Sequence, residues 1–354
     1  MAHRSASWAR KRVQWVFGLD GACWALRLFW CPLVPGQSVF AGSNRTGHVL
    51  AFGIAEPAFL AVAAIFRPSV LESESPMRFL IVTPVFNGRA LIERTIRSVA
   101  LQCADPRLQV MYIVRDGGST DGTPEFVALL AGELSYPNLV IRVYSEPDSG
   151  MYDALSKGFS DAEVGNADVL AYVNAGDYYA PRAFSNVSMA LRSGHDWVTG
   201  LNVKYNDSGD IISARLPGPY PRRLIDCGQF GLLLPCVQQE STFWSRRAHS
   251  TIDLHRLKGM HLAGDYYLWR CISAQYRLRV ISLWLGGFTI HEGQLSAVHR
   301  LEYLSELRGA ADTASWLDKL YAVLVGCVWL LPDSVRIRLF AQSILTHKEL
   351  GGET

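Results

Sequence analysis

The chain has 354 residues, 49% of them hydrophobic and 19% charged, with a formal net charge of +2. That length can bury one large core or two, and so small a charge gives no global electrostatic reason to expect a nucleic acid partner. The seven cysteines are odd in number and scattered, without a CxxC pair, which argues against a disulfide framework or a thiolate zinc site and fits a reducing cytosol.

Residues 1–76 differ in character from the rest of the chain. They contain Trp8, Trp15, Trp24 and Trp30 and no sustained alternation of strand and helix. The run Val49 to Phe66 has the length of a membrane span but carries Glu56 and Pro57 near its centre, which counts against spanning. The basic start MAHRSASWARKR is followed by an apolar stretch broken by charges, a poor match to a secretory signal. The composition turns polar at Ser73 to Pro76, so the functional domain is expected to begin at Met77, with the preceding segment an appendage or a mis-assigned translation start.

From Met77 the pattern becomes regular. FLIVTPVF, Phe79 to Phe86, reads as a strand buried on both faces, followed by a helix with Ile92, Ile96, Val99 and Cys103 on one side. A second strand, Leu108 to Val114, leads into DGGSTDG and a helix bearing Phe126, Leu129, Leu130 and Leu134. A third, Leu139 to Tyr144, runs into EPDSGMYDALSKG, and a fourth, Asp168 to Val173, ends in NAGD. Such alternation predicts an α/β fold with a mainly parallel sheet sandwiched by helices, and ligand loops at the carboxyl ends of the strands. All four polar motifs then fall on one edge.

Turning alone does not account for DGGSTDG, since a turn needs only one or two residues of special backbone freedom. The loop has neither the GxGxxG of a dinucleotide fold nor the GxxxxGK[ST] of a P-loop. Its carboxylates suggest contact with a base, a ribose or a bound cation, in a polar crevice that suits a nucleotide.

TPVFN at Thr83 to Asn87, DGGSTDGT at Asp116 to Thr123, SEPDSGMYDALSKG at Ser145 to Gly158 and NAGDYY at Asn174 to Tyr179 resemble, in order and spacing, the family 2 glycosyltransferases of GT-A fold. VQQESTFWSRR from Val237, AGDYYLW from Ala263 and HEGQLS from His291 extend the resemblance over roughly residues 77 to 300. The implied organisation is an N-terminal appendage over 1–76, a GT-A domain over 77–300 and a helical C-terminal extension over 301–354. The resemblance implies an inverting enzyme that takes a nucleotide diphosphate sugar, with Mg²⁺ or Mn²⁺, and transfers the sugar to a saccharide or lipid-linked acceptor in surface polysaccharide or glycoconjugate synthesis. By the same resemblance Thr83, Pro84 and Asn87 line the nucleotide end, Asp116 contacts the base, and Asp148 and Asp153 border the nucleoside pocket. The acidic pair usual at the fourth strand end is reduced here to Gly176 and Asp177, which leaves Asp177 as the metal ligand.

The chemistry makes these residue types intelligible. A departing nucleotide diphosphate gathers negative charge that a divalent cation held by a carboxylate can offset, and an acceptor hydroxyl needs a base to take its proton. Asp265 is the candidate base; an aspartate ahead of an apolar helix also suits an N-cap. Gln239 and Glu240, before STFW, suit sugar hydroxyls or an ordinary surface turn. His291, after ISLWLGGFTI, suits the metal or diphosphate, or a structural role. Trp244 and Trp269 read as core. Two other readings stay open, a nucleotidyltransferase acting on sugar phosphates and a non-catalytic sugar-nucleotide binding module. LYAVLVGCVWLL, Leu320 to Leu331, is too short to cross a bilayer; with the basic amphipathic run after Pro332 it fits either packing on the domain or peripheral contact at the inner face of a membrane. The expected location is cytoplasmic.

Overall fold

The computed structural model describes residues 75–290, 299–346 and 349, and four short strands before them. The chain divides into two units, residues 1–74 and 75–354. In the first, β1 (Gln14–Phe17) pairs antiparallel with β2 (Cys23–Leu26), and β3 (Phe40–Ser43) with β4 (Val49–Phe52). Most of the apolar run Val49 to Phe66 lies outside the described residues, as does HEGQLS with His291.

The second unit is built on an eight-stranded sheet. Its parallel part comprises β5 (Met77–Val85), β6 (Leu108–Asp116), β7 (Leu139–Ser145) and β8 (Val169–Tyr172), in the spatial order β7-β6-β5-β8. The chain steps outward from β5 through β6 to β7 and then returns to the other side of β5, so the strand order reverses there. Such a reversal opens a crevice beyond the carboxyl ends of the strands. Beyond β8 the sheet continues through β13 (Thr242–Ser245), β10 (Trp197–Thr199), β14 (Arg279–Ile281) and β16 (Ile344–Leu345). Here β13 runs antiparallel to both neighbours, while β10, β14 and β16 are mutually parallel. A second sheet stacks β12 (Ile211–Arg215), β11 (Asn202–Tyr205), β15 (Gly286–Thr289) and β9 (Tyr178–Tyr179) in that order.

Phe79, Leu80, Ile81 and Val82 of β5 are wholly buried, as a central strand covered on both faces requires. The Phe79 ring stacks on Phe184 of α4 (Ala183–Arg192) at 4.5 Å between centroids. Helix α1 (Ile92–Gln102) buries Ile92, Ile96 and Val99, the face its spacing predicts. Helix α2 (Thr123–Glu133) differs from its predicted face: Val127 and Leu130 are buried, Leu129 is exposed, and Phe126 lies under the Arg89 guanidinium, 3.2 Å from the ring centroid. Trp244 and Trp269 are core side chains, packed edge to face 5.7 Å apart.

The C-terminal segment is not purely helical, contrary to expectation. After α6 (Arg300–Ala310), α7 (Trp316–Trp329) and α8 (Asp333–Leu339), it ends in β16 on the edge of the main sheet, Ile344 opposite Val280. The β-branched Ile344 fills a fully buried place there, which outweighs the helical periodicity of the preceding residues. Among the described residues no helix is long and apolar enough to cross a membrane.

Arg192 donates to the Ser75 carbonyl at 2.9 Å and the Met77 amide to the Arg107 carbonyl at 2.9 Å, so the ordered hydrogen bonding of the second unit starts at its first residues. A polypeptide of residues 75–354 is therefore expected to fold cooperatively, with a single melting transition by circular dichroism. A broad, non-cooperative melt would show that residues 1–74 are needed for the core.

Candidate active site

The last rung of the parallel sheet sets Val85, Asp116 and Ser145 abreast. Asp116 is almost completely buried, and its Oδ2 accepts from the Gly118 and Ser119 amides at 3.1 and 3.0 Å and from the Ser145 hydroxyl at 2.6 Å. Its Oδ1 accepts from the Ser119 hydroxyl. Asn87, in a left-handed conformation at φ 49°, closes the next link: its amide donates to Ser119 Oγ at 2.7 Å and its Oδ1 accepts from the Thr120 amide at 3.0 Å. Asp121 accepts from the Arg89 and Thr123 amides at 3.0 and 3.1 Å. The polar richness of DGGSTDG is thus spent largely on fastening three strand ends together, with Ser119 and Ser145 as links that no motif singles out.

Thr83 and Pro84 are placed inside the strand, not on the crevice. Thr83 is wholly buried with its hydroxyl bonded to the Tyr112 hydroxyl at 2.9 Å, so its side chain has no face for a ligand. Asp148 accepts from the Gly150 amide at 2.9 Å at the rim of the third loop. Asp153, on α3 (Met151–Phe159), accepts from the Ser149 amide and hydroxyl at 3.0 and 3.1 Å and sits 3.6 Å from both Lys157 and Lys258. Burial works to raise its pKa, but the Ser149 hydrogen bonds and the two lysine charges outweigh it and hold the carboxyl below its ordinary value.

The fourth loop brings acids together. Gly176 has φ 103°, a conformation that strains any side chain-bearing residue; an aspartate there would have to overcome that strain, which gives a backbone reason for the absent first acid. Asp177 is buried, its Oδ1 accepting from the Thr289 amide at 2.7 Å. Glu240 lies in a buried 3₁₀ turn, Gln239–Ser241, rather than a surface turn, and accepts from Gln239 at 2.8 Å. The Asp177 and Glu240 carboxyls lie close enough to interact, and both pKa values are raised, first by burial; for Asp177 the Glu240 charge adds to the shift. Gln239 Oε1 and Asn174 Oδ1 are buried without a hydrogen-bond partner, an arrangement that is costly unless something binds there.

Asp265 sits in the first turn of α5 (Gly264–Ser273), one residue past the start, so it is not the N-cap; that place belongs to Ala263. Gly264 lets the helix start press on Tyr152, since a Cβ there would lie 2.4 Å from the ring. The Tyr152 hydroxyl accepts from the Asp265 amide and donates to the Leu262 carbonyl, both at 3.1 Å. Asp265 Oδ1 accepts from the Tyr266 amide at 2.7 Å, and the Tyr303 hydroxyl lies 3.4 and 3.5 Å from the two carboxyl oxygens. Burial pushes the carboxyl up to about 7, the Glu240 charge adds to that, and the Tyr266 and Tyr303 hydrogen bonds pull against it. Tyr152 lies within the SEPDSGMYDALSKG stretch without being singled out there, and Tyr303 is marked by no motif.

Among the described residues no group of three or more His, Cys, Asp or Glu side chains is arranged to hold a metal by protein atoms alone. Asp177 and Glu240 supply two carboxyls side by side, which matches the way Mg²⁺ takes one or two carboxylates and draws its other ligands from water and substrate phosphate.

Residues 80–249 match the family model described as glycosyl transferase family 2. This domain belongs to glycosyl transferase family 2. Asp265 and the C-terminal helices lie beyond the matched residues of the family 2 domain. Over 100 residues the chain is 34% identical to two Mycobacterium tuberculosis proteins, each called an uncharacterized glycosyltransferase; the match takes in 28% of this chain and only 34% of the relative's length. Among solved structures, TarS 1–349 of S. aureus is 14% identical, with a TM-score of 0.47, over 75% of this chain and 73% of that one. The mannosyltransferase PcManGT of Pyrobaculum calidifontis, in complex with GDP-Man and Mn²⁺, is 16% identical with a TM-score of 0.48, over 81% and 80% of the two chains.

The raised pKa of Asp265 has a sign that stability can report. Its ordinary unfolded value is about 3.9 and its folded value about 7, so between those limits the folded chain binds more protons and stability falls as pH rises. Asp265→Asn removes that loss while Oδ1 still accepts from Tyr266. Relative to the wild type it is expected to gain about 1–2 kcal/mol between pH 5 and pH 8, discounted from the full shift because the carboxyl is partly open to solvent. Calorimetric melting of both proteins at the two pH values tests this; an equal difference at each pH would place the carboxyl in an ordinary environment.

Proposed function

We propose that the protein is an inverting, metal-dependent glycosyltransferase that moves a sugar from a nucleotide diphosphate sugar to a saccharide or lipid-linked acceptor. The observation that carries this reading is the gathering of Asp177, Glu240 and Asp265 beyond the carboxyl edge of the sheet, with Asp265 held near pKa 7. A base works best when its pKa lies near the operating pH, and Asp265 meets that condition through burial. Asp177 and Glu240 would hold the cation, which supplies Lewis-acid stabilisation of the departing diphosphate when bound. The loops fastened by Asp116 and Asn87 form a rigid floor for the nucleotide, and Asp148 and Asp153 border it. Asn174 and Gln239 supply acceptors in want of a donor, as sugar or ribose hydroxyls would be. Asp265 takes the acceptor hydroxyl's proton as its oxygen attacks the anomeric carbon and the nucleotide diphosphate leaves from the opposite face.

Asp265→Asn keeps the size and the Tyr266 hydrogen bond but cannot accept the proton. Transfer is expected to fall by about 10² to 10⁴, with donor affinity nearly unchanged. The measurement is release of nucleotide diphosphate from a panel of UDP- and GDP-linked sugars, with Mn²⁺ or Mg²⁺ and with chelator, alongside calorimetric nucleotide binding. Near-wild-type turnover by this variant would remove Asp265 from the mechanism. Pyrophosphate release from a nucleoside triphosphate and a sugar phosphate would point to nucleotidyl transfer instead.

The same reading includes a peripheral contact with a membrane carrying anionic lipid, supported by α7. Ala322 and Val325 pack inward, while Trp316, Leu317, Leu320, Tyr321, Val323 and Leu324 are exposed. The two acids of the 316–346 segment are each paired with an arginine, Asp318 with Arg223 and Asp333 with Arg336, and Lys319 and Arg338 remain as exposed basic charges. An apolar face with a basic rim suits the interface of an anionic bilayer. The wild type is expected to sediment with phosphatidylglycerol vesicles at low salt, and Leu320→Glu/Leu324→Glu to lose that binding by about tenfold or more. Equal sedimentation of both proteins would discard the contact.

A further inference from the structure

Helix α5, which carries Asp265, begins without a cap of its own. Ala263 occupies the N-cap and has no side-chain oxygen to offer, whereas the amides at a helix start need acceptors. Those of Asp265 and Tyr266 are taken by the Tyr152 hydroxyl and Asp265 Oδ1; the N-cap amide and the two before it are taken by another helix, far along the chain. Glu306 of α6 takes the His261 amide on Oε1 at 2.7 Å and the Leu262 and Ala263 amides on Oε2, both at 2.6 Å. A carboxylate at that position also faces the positive end of the α5 dipole.

Helix α6 makes further contacts at the same place. Leu307 is fully buried in a small cluster with Ala263, Tyr266 and Ala310. One turn before Glu306, the Tyr303 hydroxyl reaches the Asp265 carboxyl and lies 3.8 Å from Cys236 Sγ. Ile225, Phe230, Val237 and Trp269 complete the wall of a small cavity beside Asp265 and Tyr303. The polar contacts from α6 are therefore directed at the base and at the residues leading into it, while its apolar side secures the fit. Of these residues, Ile225, Phe230, Cys236 and Val237 fall within the matched span 80–249 and the rest lie beyond it.

We infer that α6 is a working part of the active site, in which Glu306 and Tyr303 are positioning residues: Glu306 fixes the start of the helix that carries Asp265, and Tyr303 fixes the carboxyl itself. This rests on the reading of Asp265 as the base. Glu306 sets where the Asp265 backbone lies, together with Tyr152, which binds the Asp265 amide. Tyr303 sets how the carboxyl is turned relative to an acceptor hydroxyl.

The test uses the full chain with Glu306→Ala, Glu306→Gln and Tyr303→Phe. Hydrogen exchange is read at the amides of 261–263, and kcat and donor KM are read on the UDP- and GDP-linked sugar panel. Glu306→Ala is expected to speed exchange at these three amides by about tenfold, as loss of a cap does, and to lower kcat by about tenfold with donor KM within about twofold, because the base is misplaced and the donor site is not. Glu306→Gln keeps an acceptor oxygen and should recover most of both losses. Tyr303→Phe should lower kcat while leaving exchange at 261–263 as in the wild type. Wild-type exchange and kcat in Glu306→Ala would overturn the inference, as would a loss of kcat in proportion to a fall in folded fraction. If the wild type turned over no donor at all, the functional reading would fall by itself; the exchange experiment would still decide the cap.

Discussion

Two carboxyl groups, Asp177 and Glu240, are buried against each other at the edge of the central sheet, and the site around them is arranged to make that tolerable. Isolated burial of one such charge would cost several kcal/mol, and two like charges more. The chain answers with the Thr289 amide on Asp177 and the Gln239 amide group on Glu240, and both carboxyls have raised proton affinity. The pair is assembled from two directions: Asp177 from the turn between β8 and β9, Glu240 from the turn before β13. The first turn joins the main sheet to the second and the other leads into β13, the neighbour of β8, so the approach of the acids is fixed by the fold rather than by the carboxyls, which alone would repel.

The other carboxylates fall into a different physical class. Asp116 and Asp121 are saturated with loop amides and hydroxyls, and Asp153 is held ionised beside two lysines. These groups shape the backbone of the crevice. Asp265, Asp177 and Glu240 have raised proton affinity. Environments that push similar side chains apart in this way are how acid and base roles are divided among carboxylates. The division cannot be read from residue type, because all of them are written as Asp or Glu.

Much of the fold is legible because its signals are local. The run FLIV, the 3.6-residue spacing of Ile92, Ile96 and Val99, and the polar punctuation after each strand are all patterns of near neighbours. The order of the motifs along the chain suffices to name the family. The features that sequence reading misses depend on distant pairings. The motif assigns Thr83 to the nucleotide, yet its hydroxyl turns inward to Tyr112 across the adjacent strand. Leu129 fits a helical stripe by spacing but is exposed, while α2 docks through Val127 and Leu130 with Phe126 and Leu134 at the edge of the core. Ile344 belongs to a sheet whose neighbouring strand lies more than sixty residues earlier in the chain. The Gly176 departure reads in sequence as a missing acid and in the structure as a backbone at φ 103°.

The same distinction applies to Asp265. AGDYYLW marks it as a candidate, but its raised proton affinity comes from burial and the Glu240 charge, against hydrogen bonds from Tyr266 and from Tyr303 on a distant helix. Helix α6 places a carboxylate on three amides just before α5 and a hydroxyl at the Asp265 carboxyl within a single helical turn, with Leu307 buried beside them. These contacts lie outside residues 80–249, so the span that matches the family model is shorter than the span that holds Asp265 in place.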